Sequence, residues 1–161
     1  MAGNDDRTLL LAGLDEAFDR KSWHGTNLRG SLRALTAAQA AWRPAPGRHS
    51  AWELALHCAY WKYGARRRLT GEKRGGFPLK GSNFFPLPAT PDQAAWKQAM
   101  RLLADQHAAL RATVASLPAK TLRTPAARRL IRGIAAHDLY HAGQIQLLKR
   151  LQSATPPPET P

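Results

Sequence analysis

Cysteine is almost missing from this chain: Cys58 is the only one in 161 residues, so no intrachain disulfide can form and stability must come from packing or a bound metal. Acidic residues are scarce over most of the length. Asp5, Asp6, Asp15, Glu16 and Asp19 all fall in the first nineteen residues, and the six acids beyond them face all but one of the 24 lysines and arginines. No apolar run reaches bilayer length, because the stretch from Leu9 to Leu14 is cut by Asp15 and Glu16. The N-terminus carries Asp5 and Asp6 where a secretory leader wants positive charge, so a cytoplasmic protein without a membrane partner is expected. Strand-like alternation, internal repeats, a Ser-His-Asp set and a second carboxylate cluster are absent as well, which disfavours sheet folds, repeat arrays and serine-hydrolase or paired-carboxylate chemistry.

What is present is ordinary in bulk: 43% hydrophobic and 22% charged residues suit one globular domain. The expected division is a flexible N-terminus over 1–6, a single helical domain over 7–152 and a disordered Pro-rich tail over 153–161. A net charge of +13 makes nucleic acid or another polyanion a candidate partner, and a noncatalytic basic binding module is one reading of the chain. No nucleic-acid motif accompanies that charge. Arg66, Arg67 and Arg68 can simply finish a helix at its negative end.

Apolar spacing marks four long helices. The first covers about residues 7–20 on Leu10, Leu11, Leu14 and Phe18, and a short helix follows over 28–35. Pro44, Pro46 and Gly47 then interrupt helical structure. Ser50 with Glu53 three residues on forms a capping-box pattern for the second long helix, which runs to about Leu69. Residues 71–90 form a long loop holding Phe77, Phe84 and Phe85, expected to pack as a cover or lid. Thr90 as cap, Pro91 in the first turn and Gln93 start the third helix, which ends at Leu117-Pro118. Thr124-Pro125 announces the fourth, reaching about Leu151. The fold class is all-α, and helices of this length favour a four-helix bundle.

His137 and His141 stand four residues apart on the stripe of the fourth helix, so their rings share one face and can reach one ion. His57 occupies an inward-compatible place between Leu54 and Trp61 on the second helix. Three neutral imidazoles would suit Zn, Ni or Fe(II) and leave coordination positions open for water or a substrate. His24, His49 and His107 compete for the third place, and a buried, hydrogen-bonded core histidine is the plainer alternative for any of them. His24, Tyr60 and Trp61 are candidate substrate-pocket residues, the last two lying one turn beyond His57. Glu53 is accounted for by its cap, and Asp138 points about 100° away from the histidine face. Cys58, adjacent to His57, diverges from it by the same angle and reads as a small core residue.

Two segments resemble the DinB-like superfamily: His49-Ser50-Ala51-Trp52-Glu53-Leu54-Ala55-Leu56-His57, entered through Ala41-Trp42-Arg43-Pro44-Ala45-Pro46-Gly47, and His137-Asp138-Leu139-Tyr140-His141-Ala142-Gly143-Gln144-Ile145. The resemblance spans roughly residues 7–151. It implies a four-helix bundle with a long crossover loop between helices two and three, a divalent metal on His57, His137 and His141, and a homodimer. Members of that family include metal-dependent hydrolases, thiol-dependent S-transferases and isomerases that use low-molecular-weight thiols. A small-molecule substrate, with such a thiol as cosubstrate, is what the resemblance implies here.

Overall fold

The computed structural model describes residues 2–154, and all regular structure among them is helical. Four long helices, α1 (Ala2–Phe18), α4 (Ala51–Thr70), α5 (Gln93–Ser116) and α7 (Pro125–Ala154), are joined by the short α2 (Leu28–Leu32), α3 (Ala37–Ala41) and α6 (Ala119–Leu122). Both α1 and α4 pack on α5 and α7, so the helix carrying His57 lies directly against the one carrying His137 and His141. None of the described helices is long and apolar enough to cross a membrane.

Local chemistry sets the helix starts. Ser50 Oγ accepts from the Glu53 amide at 3.2 Å while Glu53 Oε2 accepts from the Ser50 amide at 2.8 Å, closing the expected capping box of α4. Gly71 ends that helix in the left-handed conformation (φ 77°), which glycine adopts without a Cβ penalty. Thr124 Oγ1 accepts from the Ala127 amide, with Pro125 as the first residue of α7.

Several boundaries differ from the sequence reading. Helix α5 is capped by Asp92, whose carboxylate accepts from the Ala95 amide, rather than by Thr90, because Asp92 stands three residues before that donor. The short helix begun at Leu28 stops at Leu32, and Ala34 turns at φ 62° to start a separate α3. That helix carries its own Thr36–Gln39 capping box, and α6 fits between Pro118 and Arg123. The first helix extends over Ala2–Phe18; residues 155–161 of the expected tail lie outside the described residues, while Ser153 still belongs to α7.

The core divides in two. One cluster gathers Phe18, Leu28, Trp52, Phe85, Trp96, Leu103 and Ile145; the other gathers Leu14, Leu110, Val114, Leu122, Ile131 and Ile134. Full burial of each such side chain stabilises by about 1.5–3 kcal/mol. Between the two, at matching heights on α4, α5 and α7, lie Lys62, His107 and Asp138, all buried. Lys62 and Asp138 form an ion pair that is closed to solvent. Cys58 is fully buried among the apolar residues, as expected, and burial pushes its thiol well above the usual value.

Candidate metal centre

The capping box fixes the register of α4, and His57 lies two turns beyond it, buried on the face toward α7. His137 and His141 stand one turn apart on the uninterrupted α7. Their rings converge with His57. His57 Nε2 lies 3.0 Å from His137 Nε2, which lies 3.2 Å from His141 Nε2. The three side chains therefore present one nitrogen each to a common point, as metal ligands do.

The other ring nitrogens fix where the protons sit. His57 Nδ1 is 2.9 Å from the Asn83 carbonyl oxygen, so it must donate its proton there and leave Nε2 bare. His141 Nδ1 donates likewise to Gln144 Oε1 at 2.6 Å, while Gln144 Nε2 donates to the Tyr140 hydroxyl at 3.2 Å. Two lone pairs thus aim at His137 Nε2. A proton on that nitrogen could cover only part of the demand, and His137 Nδ1 is itself buried without a hydrogen-bond partner. A cation at the meeting point satisfies all three nitrogens at once, and the outer acceptors on His57 and His141 are of the kind that orient metal-bound imidazoles. The residues therefore fit a divalent metal.

Electrostatics agree with neutral rings. Burial lowers His57 to about 4 and His137 to about 3, with the neighbouring histidines adding to the shift, and burial lowers His141 also. Ligation needs unprotonated imidazole, so near neutral pH little work against protons is required. A second grouping, Cys58 with His137 and Asp138, does not fit a metal: the thiol is held protonated by burial, and Asp138 is committed to Lys62.

The loop between α4 and α5 finishes the site as a packed cover. Phe85 is buried in the core, and Phe84 stacks between His49 and His57, with centroids 3.7 and 4.2 Å away. Asn83 is held at φ 68°, a left-handed conformation that asparagine tolerates better than most residues. It fixes two neighbours, its carbonyl meeting His57 and its Oδ1 accepting from Trp61 Nε1 at 3.0 Å. A cavity of about 940 Å³ opens over the triad, walled by Leu54, Trp61, Phe84, Tyr140, Leu147 and Leu148, among others. Arg48 and His49 also line it, and no Asp or Glu among the described residues does.

Of the pocket residues proposed from sequence, Trp61 lines this cavity. Tyr60 packs instead against Phe77 and Phe85, and His24 is exposed in the turn after α1, with Nδ1 3.4 Å from Ser22 Oγ. His107 lies in the bundle interior, stacked on Phe18 at 3.8 Å. Tyr140 and Gln144 were missed from sequence although spacing offered the signal, since they flank His141 within one turn on the same helix. Asn83 and Phe84 carried no such signal, because only folding of the 71–92 connection brings them to α4. Asp138, pointing away from the histidines as expected, meets Lys62.

No curated protein and no solved structure matches this chain. The family model of the DinB superfamily matches residues 21–145, a span that includes all three converging histidines. On that match, and with an all-helical fold to accompany it, the chain belongs to the DinB superfamily.

Proposed function

We propose that His57, His137 and His141 hold a divalent metal, Zn, Ni or Fe(II), and that the protein is a metal-dependent hydrolase or thiol S-transferase acting on a small molecule in the adjoining cavity. The observation that carries this reading is the convergence of three Nε2 atoms whose lone pairs have no sufficient proton to share. When bound, such a metal supplies Lewis-acid activation of a substrate oxygen, a water or a thiolate. The protein's own side chains do the rest. Asn83 and Gln144 fix the rings of His57 and His141, Trp61 and Phe84 limit water beside the triad, and the Tyr140 hydroxyl can donate a proton or hydrogen bond to a bound molecule. With three neutral ligands and no carboxylate among the described residues lining the cavity, the centre keeps its positive charge and favours an anionic group such as a thiolate or carboxylate.

Elemental analysis of protein purified without a nickel column tests the site. About one equivalent of metal is expected in the wild type and a large loss in His57→Ala and His141→Ala. Equal metal content in the three proteins, each folded by circular dichroism, would reject it. The reaction class is separated by supplying an activated ester alone, then an electrophile with and without a low-molecular-weight thiol; turnover only with the thiol selects the transferase.

A further inference from the structure

A second cleft of about 660 Å³ shares two walls, Trp61 and His137, with the cavity over the triad. Its remaining lining comes from the end of α4, from α6 and from the first half of α7. Leu69, Ala127, Leu130 and Ile134 make it apolar, whereas Arg68 and Arg129 stand exposed at its edge. Neither arginine has a carboxylate partner among the described residues; Arg68 lies over the Trp61 ring, 5.6 Å from its centroid. No acidic residue among the described ones lines this cleft either.

We propose that this second cleft binds a small amphipathic anion, its apolar body against Leu69, Leu130 and Ile134 and its single anionic group between Arg68 and Arg129. Size and chemistry both select that class. The volume lies within the range of small-molecule sites, which pair apolar walls with a few polar groups that fix orientation. Two guanidinium groups without a carboxylate partner among the described residues, beside an apolar floor, attract an anion and hold it more strongly than a neutral molecule of the same shape. The shared walls Trp61 and His137 put such a molecule next to the cavity over the triad.

Binding itself does not rest on the metal reading, and naphthalene-2-sulfonate, a poor metal ligand, separates the two. Calorimetric titration of the full chain, metal-loaded and chelated, should show saturable binding in both forms. Arg68→Ala with Arg129→Ala should weaken it about tenfold, as loss of charge-assisted hydrogen bonds does. Gly133→Leu should weaken it by at least as much. A Cβ at Gly133 meets nothing within 4 Å, so the leucine grows into the cleft, and leucine favours a helix more than glycine does, which keeps the variant folded. Leu147→Ser, in the triad cavity, should leave binding unchanged, and neutral naphthalene-2-methanol should bind about tenfold more weakly than the sulfonate. The proposal is overturned by absence of saturable binding, by equal affinity in Gly133→Leu, by loss of binding on chelation or in Leu147→Ser, or by equal binding of the neutral analogue. It is also overturned if sedimentation shows a dimer that Gly133→Leu dissociates, since a second copy would then cover the cleft.

Discussion

Helices α4 and α7 build two buried polar clusters side by side, and the two are opposite in kind. His57 and Lys62 lie five residues apart on α4, while His137 and Asp138 are neighbours on α7. Yet Lys62 and Asp138 answer each other's charge through Asp138 Oδ2, with Oδ1 left without a hydrogen bond, inside a sealed layer between the two core clusters, where Phe18 stacks under His107 and faces the Lys62 ammonium at 5.0 Å. The histidines, by contrast, turn lone pairs toward one another beside an open cavity. A matched buried pair serves the fold, because charges taken from water need partners. An unmatched set whose deficit is one cation, placed where a small molecule can enter, is what the proposed metal chemistry requires.

The largest expected effect comes from breaking the matched cluster. Lys62→Met leaves the Asp138 carboxylate buried without its cation and should destabilise the protein by about 3–5 kcal/mol, read from chemical denaturation. Adding Asp138→Leu should recover most of that loss, since two apolar side chains leave no charge uncompensated. A cost below about 1 kcal/mol for the single variant would mean the pair is already solvated, and the contrast between the clusters would fail.

The triad is more exposed to its surroundings than to its own helix positions. Gln144→Leu removes the acceptor that holds the His141 Nδ1 proton. Metal affinity, measured by competition with a chelating dye, should fall by about 10–100-fold while the fold stays intact, as happens when a hydrogen-bond partner behind a metal-bound imidazole is lost. An unchanged affinity would show that packing alone orients the ring.

Much of this contrast could be read before any coordinates. His137 and His141 share a face by helical period, and Ser50 with Glu53 sets where His57 falls, so the helix positions of these histidines follow from local rules, whereas the choice of His57 over His24, His49 and His107 came from the family resemblance. Tyr140 and Gln144 obey the same period. Asn83 and Phe84 do not, because their place depends on how a long connection folds over α4. The Lys62–Asp138 pair was hidden for a related reason: a lysine on an otherwise apolar face looks like a surface residue until its partner, 76 positions away, is seen. Periodicity also passed over α3, since a five-residue helix has too few turns to show a stripe, although its Thr36–Gln39 box is the signature that marks α4. His107 satisfied the α5 stripe and could be placed inside, but nothing in the spacing said whether it faced a metal or an aromatic ring.

His107 gives the smallest and most specific effect. Burial lowers it to about 3, the nearby Lys62 charge pushes the same way, and Asp15, whose Oδ1 is 3.9 Å from Nε2, offsets only part of this. Its Nδ1 is buried with no hydrogen-bond partner. The folded value is therefore below the unfolded value of 6.5, so the unfolded chain takes up a proton first. Stability from this neutral ring is fully present above about pH 6.5 and is lost as pH falls toward about 3, by roughly 1.4 kcal/mol per pH unit within that window. Between neutral pH and about pH 5 the loss should reach about 2 kcal/mol. In His107→Leu that component should vanish, so the chelated variant should lose about 2 kcal/mol less than the chelated wild type when both are denatured in urea at pH 7 and pH 5. The triad and Asp138 titrate equally in both proteins and cancel. Equal losses would show that water reaches His107 in the native state, and the layer between the two core clusters would then be open like the triad rather than sealed.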